Sequence, residues 1–390
     1  MSKAKSHLVI GVDIGSSTTK VCAVVHSEEI NSNPEIVEIQ EVPTEGIYKG
    51  DIVNEKELAD TLHRVVNEFK SNVFERRNHI VLALNTFGIS SGIANTSIIN
   101  SSINNEITRL DLDRLEKEAA LSVSNIKNKR VIHTIPIKYK VDLSDVPGNP
   151  VGMFGKRIDG KFLFVFCPSL YIEKLENILK EIKLNIEEVV VGPFAESIPL
   201  LNKRQRIAGT ALVNIGHSTT SILVYENNNP ILTSVIGIGS NDITNDIALG
   251  LQVSLEEAEE IKLGRSDLSF SKRKYEEIVE ARVEFICEKI NLELDKISRR
   301  ELLPGGIVLT GNGSKLPKIE YMFKNYMRLP IKFAEEEIRN FSDGQLGDSA
   351  YARAYGLTFL APIITSDYRV EKIFKNFCKN IKAFLKKLLP

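Results

Sequence analysis

The spacing of apolar and polar positions near the start of the chain alternates between strand-like and helix-like patterns. The segments LVIGVDI, TKVCAVV and EIVEIQEVP are rich in β-branched residues and predict three consecutive strands. Apolar residues at three- and four-residue steps in NEKELADTLHRVVNEFKSN predict a helix, which is followed by a further strand in HIVLALN. This order of elements is typical of an α/β fold.

The pattern loosens between about residues 86 and 188. Polar turns there separate a short predicted helix in DLDRLEKEAALSV from strands in RVIHTIPIKYKVD and GKFLFVFCP. We interpret this region as an inserted subdomain. The second half opens with EEVVVGPFAESIPLL and continues with a long helical region at about 243–300 and the apolar strand GGIVLTGNG.

Two predicted hairpins in this chain have nearly the same sequence. VDIGSSTTKVCAVV, at 12–25, and VNIGHSTTSILVY, at 213–225, share Val, Ile, Gly, Ser, Thr and Thr at matching places. One hairpin alone would be an ordinary turn with small residues, but the repetition indicates two duplicated halves. Halves of this kind face each other across a cleft, which is where open α/β sheets usually bind a ligand.

The first hairpin carries groups suited to phosphate. Gly15 lets backbone N–H groups approach a ligand closely, and Lys20 supplies a positive charge. Hydroxyl donors come from Ser16, Ser17 and Thr18. We expect Asp13 to lie at the mouth of the cleft and to orient waters around Mg²⁺ that bridges the phosphates.

Two further segments suggest contacts to a nucleoside. The strand in IVLTGNGSKLP ends in glycines that would let a flat base lie on the backbone before a helix begins at about Pro317; the residues concerned are Gly311, Asn312, Gly313 and Ser314. In EEAEEIK, Glu259 and Lys262 lie on one helical face and would both reach ribose hydroxyls. The ordinary alternative for the first segment is a strand-to-helix loop, and for the second it is a solvated salt bridge.

Residue composition, net charge and cysteine spacing limit the classes of protein to which this chain can belong. The 390 residues are 43% hydrophobic and 26% charged, which is a folding composition for two or more domains. The net charge of −1 argues against a nucleic-acid binder. The four cysteines form no C-x-x-C pair, which favours a reduced compartment without structural metal. We find no secretion signal and no apolar run of the roughly 18 residues that span a membrane.

The last 22 residues, RVEKIFKNFCKNIKAFLKKLLP at 369–390, predict an amphipathic helix after a short linker at 361–368. They carry a net charge of +6, which leaves −7 for the rest of the chain. Such a helix would lie in the headgroup layer of an anionic membrane. The alternative is a terminal helix packed on the protein's own core. The predicted lipid contacts are Ile373, Phe374, Phe377, Ile381, Phe384, Leu385 and Leu388 on the apolar face and Lys375, Lys379, Lys382 and Lys386 on the basic face.

Taken in order, the two hairpins, the E-x-x-K helix and the glycine-rich strand end resemble the actin, sugar kinase and Hsp70 superfamily of ATP-binding proteins over nearly the whole chain. Four stretches resemble one family in it, the FtsA family of bacterial cell-division proteins: GIYKGDIVNEKELADTL, HTIPIKYKVDLSDVPGNPVGMFGKRI, DIALGLQVSLEEAEEIK and EEIVEARVEFICEKI. The resemblance implies an actin-like fold around a nucleotide cleft. Its subdomains would be 1A at 1–85, an inserted 1C at 86–188, and 2A and 2B at 189–360, with 2B at about 243–300.

The resemblance implies that ATP binds between two phosphate faces, one formed by the first hairpin and the other by Gly216, Ser218 and Thr219, with Asn214 beside them. Two departures from the superfamily pattern concern hydrolysis. Asn214 stands where an Asp is usual, and Gly192 stands where actin and several relatives place a Gln or an acidic residue that positions the attacking water. We therefore expect hydrolysis to be slow or absent.

The implied function is a peripheral scaffold on the cytoplasmic side of the bacterial membrane at the division site. Its expected partners are the C-terminal tail of the tubulin-like protein FtsZ, further copies of itself in a filament, later division proteins and the anionic membrane surface. A pilus-assembly adaptor of the PilM type is one alternative, but it lacks a membrane helix. An active sugar kinase or ATPase is the other, although no motif supplies the catalytic Asp of a kinase.

Overall fold

The computed structural model describes residues 6–27, 34–68, 79–102, 104–123, 127–265 and 271–360. The predicted linker at 361–368 and the predicted membrane helix at 369–390 lie outside these residues. All of the predicted lipid-contacting side chains lie in that segment. They therefore remain predictions from sequence.

Sixteen strands and eleven α-helices are formed within the described ranges. The strands are β1 Ser6–Ile14, β2 Thr18–Ser27, β3 Glu35–Pro43, β4 Ile47–Tyr48, β5 Asp51–Ile52, β6 His79–Leu84, β7 Ser90–Ile99, β8 Lys129–Val141, β9 Ser144–Val146, β10 Arg157–Pro168, β11 Glu188–Val191, β12 Thr210–Ile215, β13 Thr220–Glu226, β14 Asn229–Ile236, β15 Ile307–Thr310 and β16 Ile331–Phe333. The helices are α1 Glu55–Glu68, α2 Arg109–Ser122, α3 Ser169–Glu181, α4 Gly192–Leu200, α5 Lys203–Ala208, α6 Ser240–Leu251, α7 Leu255–Lys262, α8 Lys272–Lys296, α9 Ile319–Met327, α10 Glu335–Phe341 and α11 Ala352–Leu357.

Two five-stranded sheets repeat one topology. The first has the order β11-β6-β1-β2-β3 and the second the order β16-β15-β12-β13-β14. In each, an antiparallel hairpin is extended by a parallel strand, β6 beside β1 and β15 beside β12. The hairpin registers correspond as well, because Asp13 pairs with Lys20 and Asn214 pairs with Ser221. The predicted α/β fold with two duplicated halves is therefore confirmed.

Two large apolar cores pack against the two sheets. One contains the first sheet together with Leu212, Leu223 and Val308 from one face of the second, and the other lies on the opposite face of the second sheet. In the second half, helix α8 turns one face inward, with Val279, Val283, Ile286 and Ile290 buried at three- and four-residue steps. The predicted helical region at about 243–300 is thus three helices, α6, α7 and α8. The helix expected at about Pro317 begins at Ile319, because a 3₁₀ turn at Asn312–Lys315 comes first.

The inserted subdomain is a four-stranded sheet, β7-β10-β8-β9, covered by α2. A capping box at Thr108 and Asp111 fixes the start of α2, and Leu115 of that helix is fully buried against the sheet. Helix α3 follows β10 and buries Ile172 and Leu175 in an apolar core that includes residues of the first sheet and also residues of β8 and β10. The predicted end of the insertion at residue 188 therefore stays a prediction.

Helix α11 lies in very close contact with β1 and α4. A Cβ atom added to Gly11 would lie 2.0 Å from the carbonyl oxygen of Ala354, and one added to Gly356 would lie 1.9 Å from that of Ala195. Only glycine permits this approach of backbone to backbone. As a result, Arg353, at the start of α11, lies beside the carboxyl end of β1.

Candidate functional site

The turns of the two repeated hairpins are built alike and line one cleft. The backbone N–H of Gly15 donates to the carbonyl of Thr18 over 3.1 Å, and that of Gly216 donates to the carbonyl of Thr219 over 2.9 Å. The cleft has an empty volume of about 690 Å³, including the part open to solvent. Its lining residues are Asp13, Gly15, Ser16, Ser17, Thr18, Lys20, Asn85, Asn214, Gly216, His217, Thr219, Ser221, Gly311, Asn312, Ala350 and Arg353.

Most of the sequence-predicted site residues lie in this lining. Those of the first hairpin do so from Asp13 to Lys20, and those of the glycine-rich strand end are Gly311 and Asn312. Gly313 and Ser314 support the loop instead. A Cβ on Gly313 would lie 2.4 Å from the side chain of Ile215, and the hydroxyl of Ser314 donates to the carbonyl of Gly311.

Three other predicted residues are not among those lining the cleft. Lys262 is buried, and its ammonium donates to Glu259 over 2.6 Å and to the hydroxyl of Thr244 over 2.8 Å. Burial raises the pKa of Glu259, but hydrogen bonds from Lys262 and from the hydroxyl of Thr244 outweigh it and lower that pKa. The pair is thus satisfied internally, and its contact with ribose stays a prediction. Ser218 is also buried, between two residues that do line the cleft.

Lys20 lines the cleft, but its charge is already shared. Its ammonium lies 2.6 Å from the hydroxyl of Thr18 and 3.2 Å from a carboxylate oxygen of Glu41. It is therefore held along the wall of the first hairpin. In the second hairpin the register partner of Asn214 is Ser221, so no cation stands at the corresponding place.

Asp13 differs from the prediction, which placed it at a solvated mouth of the cleft. Its residue is only 5% exposed. Its Oδ1 accepts a hydrogen bond of 2.8 Å from the amide of Asn85, and Nη1 of Arg353 lies 3.4 Å from the same oxygen. The carboxylate is buried because α11 closes the carboxyl end of β1.

A buried chain of polar groups extends from Asp13 to the second hairpin. Nη2 of Arg353 donates to Oε2 of Glu196 over 2.9 Å, and the amide of Asn214 donates to Oε1 of Glu196 over 2.5 Å. Burial raises the pKa of Glu196, and Arg353 and Asn214 oppose that rise. Burial alone would lower the pKa of Arg353, but the negative charges of Glu196 and Asp13 outweigh this effect and raise that pKa.

This network explains the unusual residues at positions 192 and 214. Glu196 needs a donor, which Asn214 supplies and an aspartate could not. Gly192 leaves the space that its neighbours fill, since a Cβ there would lie 2.2 Å from Oδ1 of Asn85 and 2.8 Å from Nε of Arg353. The two departures from the superfamily pattern are therefore parts of one arrangement.

Sequence reasoning missed Asn85, Glu196 and Arg353. Asn85 directly follows β6, which pairs in parallel with β1. Its position beside Asp13 could therefore have been predicted from the pattern HIVLALN. Glu196 and Arg353 gave no such signal, because each lies in a helix where a charged residue usually faces water. Their pairing joins residues 157 positions apart.

His217 lines the cleft beside the second hairpin turn, and its pKa is lowered. Burial is the main cause that lowers its pKa, and the nearby Lys262 adds to the effect. A neutral imidazole offers a hydrogen-bonding group without adding to the positive charge of the cleft.

Comparison with known proteins gives the family. A family model described as "Cell division protein FtsA" matches residues 211–356, and one described as "SHS2 domain inserted in FTSA" matches 90–166, the segment of the inserted sheet. The cell division protein FtsA of Bacillus subtilis is 28% identical over 87% of this chain and 81% of its own length. That of Pseudomonas aeruginosa is 26% identical over 83% and 82%. This chain belongs to the FtsA family.

Solved structures agree on the fold. The PilM–PilN type IV pilus biogenesis complex gives a TM-score of 0.65 at 17% identity, over 90% of this chain and 97% of that one. MreB 5 of Spiroplasma citri bound to AMPPNP gives 0.50 at 13% identity, over 87% and 94%. The MamK double helical filament gives 0.50 at 12% identity, over 92% and 100%. The fold is thus actin-like, with the insertion characteristic of FtsA.

The described residues were also compared with the requirements for a membrane-spanning helix and for a protein-held metal site. None of the helices in the described ranges combines the length and the apolar content that crossing a membrane requires. The same ranges contain no group of three or more His, Cys, Asp or Glu side chains placed to hold a metal ion. Asp13, the residue predicted to orient waters around Mg²⁺, pairs with Arg353 through Oδ1, and its counterpart Asn214 is an uncharged amide, so the Mg²⁺ itself stays a prediction.

Proposed function

We propose that this FtsA-family chain is an ATP-binding, actin-like scaffold that holds FtsZ polymers against the inner face of the cytoplasmic membrane. The observation that carries the nucleotide part is the meeting of two equivalent hairpin turns in one cleft. The family carries the cell-division part. An adaptor for pilus assembly has the same fold, but both matching family models describe FtsA.

The cleft offers donors to a polyphosphate from both sides. Hydroxyl groups of Ser16, Ser17 and Thr18 face it from the first turn, and Thr219 faces it from the second. The end of β15 would hold the adenosine, with Gly311 and Asn312 in the lining. MreB 5, a protein of the same fold, was solved bound to AMPPNP, which supports a nucleotide as the ligand.

Bound ATP would serve chiefly as a structural ligand. The lining carries no carboxylate free to act as a base, because Asp13 is paired with Arg353. Gly192 offers no side chain to orient an attacking water, and the amide of Asn214 is engaged by Glu196. Phosphoryl transfer to water depends on such orientation, so turnover should be slow.

Calorimetry with ATP tests the nucleotide part of the proposal. The folded full-length protein should bind ATP, and released phosphate should accumulate only slowly over the same period. Failure of a folded sample to bind ATP contradicts the proposal. Brisk phosphate release would contradict the structural role of the nucleotide while leaving binding intact.

The scaffold part rests on family membership and on the tail predicted from sequence. FtsZ would bind through its C-terminal tail to subdomain 2B, here α6 to α8, and further copies of this chain would associate into a filament that recruits later division proteins. Fluorescence anisotropy with a labelled FtsZ tail peptide tests the first contact. The peptide should bind, a scrambled peptide should not, and equal binding of both would contradict the proposal.

A further inference from the structure

A carboxylate beside the cleft engages two of the groups that were predicted to bind phosphate. Glu41 lies on β3, and its Oε1 is 3.2 Å from the ammonium of Lys20. The hydroxyl of Thr18 accepts from that ammonium over 2.6 Å and in turn donates to Glu41. We propose that Glu41 competes with the phosphates of ATP for Lys20 and Thr18 and thereby lowers the affinity of the cleft for ATP. The inference rests on the proposed binding of ATP and concerns how strongly that site binds it.

The register of the first sheet places Glu41 beside Lys20. Lys20 on β2 is the register partner of Glu41 on β3, so their side chains lie on the same face of the sheet. At the corresponding place in the second sheet, Ser221 on β13 is the register partner of Val235 on β14. The cation and the carboxylate that engages it therefore occur together, in the first half only.

Glu41 is held on its other side by the residue that precedes α11. The hydroxyl of Tyr351 donates to Oε2 of Glu41 over 2.9 Å, and the neighbouring Ala350 lines the cleft. Burial raises the pKa of Glu41. The hydrogen bond from Thr18, the charge of Lys20 and the hydrogen bond from Tyr351 outweigh that effect and lower the pKa. The carboxylate is therefore ionised at neutral pH, and both of its oxygens are engaged.

Glu41 also determines the charge that a polyphosphate meets at the cleft. The guanidinium of Arg353 is held by Asp13 and Glu196, and the ammonium of Lys20 is held by Glu41. These three carboxylates and two cations have a formal net charge of −1. Loss of the Glu41 carboxylate would bring this sum to zero. An ammonium without a carboxylate partner is also a stronger hydrogen-bond donor to a phosphate.

Calorimetry of full-length Glu41→Gln with ATP in MgCl₂ tests the inference. The amide keeps the ability to form hydrogen bonds but removes the negative charge, so the variant should bind ATP about fivefold more tightly than the wild type. Unchanged or weaker binding by the variant would overturn the inference and leave the proposed function standing. No binding of ATP by either folded protein would overturn both.

A double-mutant cycle with Lys20→Gln tests whether the effect of Glu41 passes through Lys20. In the Lys20→Gln background, Glu41→Gln should improve ATP binding by less than about twofold, because the ammonium for which Glu41 competes is gone. A gain as large as in the wild-type background would indicate direct repulsion between the carboxylate and ATP. That result would overturn the competition assigned to Glu41.

Glu226→Gln is the matched control. Glu226 also holds a cation, the guanidinium of Arg299, at 2.8 and 2.9 Å, but neither residue lines the cleft. The control removes the same charge and should bind ATP as the wild type does. An equal gain in the control would overturn the inference, because it would reflect net charge alone.

Circular dichroism establishes that the variants are folded. If Glu41→Gln is not, Glu41→Asp takes its place, because it withdraws the carboxylate from the ammonium by one methylene group. This variant should bind ATP at least about twofold more tightly than the wild type. Equal or weaker binding would overturn the inference in the same way.

Discussion

The backbone of Gly192 packs directly against the side chain of Arg353 at the floor of the cleft, which leaves no room for a side chain at position 192. A Cβ atom on Gly192 would lie 2.8 Å from both Cδ and Nε of Arg353, and 2.2 Å from Oδ1 of Asn85. The backbone at residue 192 thus stands where a longer side chain would displace the guanidinium from Asp13 and Glu196. Position 192 therefore requires glycine because the long side chain of Arg353 fills the adjacent space.

Gly192→Ala should destabilise the protein. The added methyl group must push Asn85 or Arg353 out of a buried network, and overpacking of this kind costs about 1 to 3 kcal/mol. Urea denaturation measures the change. Gly347→Ala is the control, because a Cβ there meets nothing within 4 Å, and it should leave the free energy of unfolding nearly unchanged. Equal effects of the two substitutions would contradict the packing described.

Arg353→Met should destabilise the protein in a pH-dependent manner. It leaves Asp13 and Glu196 buried without their cation, and breaking a buried ion pair costs about 3 to 5 kcal/mol at neutral pH. The pKa of Glu196 is already raised by burial and would rise further without Arg353. The folded protein then binds more protons than the unfolded chain, so stability falls as pH rises through the raised pKa.

Urea denaturation of Arg353→Met at pH 8 and pH 5.5 therefore gives a clear expectation. The deficit relative to the wild type should be smaller at the lower pH, where Glu196 takes up a proton. Arg299→Met, which breaks the half-exposed pair with Glu226, should cost less than about 1 kcal/mol at both pH values. A deficit for Arg353→Met that does not change with pH would contradict the assigned role of Glu196.

Asn214→Asp tests why the second hairpin has an amide. The substitution removes the donor to Glu196 and places a second carboxylate beside it, for an expected loss of about 2 to 4 kcal/mol. Adding Glu196→Gln should recover at least half of this loss, because the new amide can donate to the new carboxylate. If the double variant is no more stable than Asn214→Asp alone, the two positions are not coupled as described.

The predicted C-terminal helix leads to a prediction about membranes. Deletion from Arg369 onward should leave a folded protein that binds ATP and FtsZ but no longer floats with anionic vesicles. Phe377→Glu should weaken attachment strongly, since it puts a charge on the apolar face. Asn376→Glu puts the same charge on the polar side, where it offsets only one lysine, at about 1 kcal/mol.

Attachment through this helix should also depend on salt. Basic residues near an anionic surface are screened as ionic strength rises, so flotation should decrease between low and high salt. The buried apolar side chains are expected to retain part of the binding. A truncated chain that still floats with anionic vesicles would show that the helix is not the anchor.

The sequence predicted those parts of the molecule that depend on local pattern. Both hairpins, the duplication and the inserted sheet follow from spacing along short segments, and the structure has them in the expected places. The environment of Asp13 could not be predicted, because a partner 340 residues away decides it. An aspartate at a strand end is usually solvated, and only the docking of α11 makes this one buried.

Helix α3 shows the same distinction. Its apolar residues at helical spacing predict the helix but do not predict the surface on which it packs. Ile172 and Leu175 lie in a core that combines residues of the first sheet with residues of the inserted sheet. Assignment of an element to a subdomain depends on contacts between segments that are distant in sequence. The local pattern of a single sequence does not reveal these contacts.

Vesicle flotation with FtsZ present tests directly whether this chain holds FtsZ at a membrane. Purified FtsZ, assembled with GTP, is mixed with anionic vesicles and with either the full chain or the chain ending before Arg369, and the floating fraction is assayed for FtsZ. We expect FtsZ to float with the full chain and to stay at the bottom with the truncated chain or with no added chain. FtsZ that remains at the bottom although the full chain itself floats would show that this chain does not tether FtsZ to the membrane.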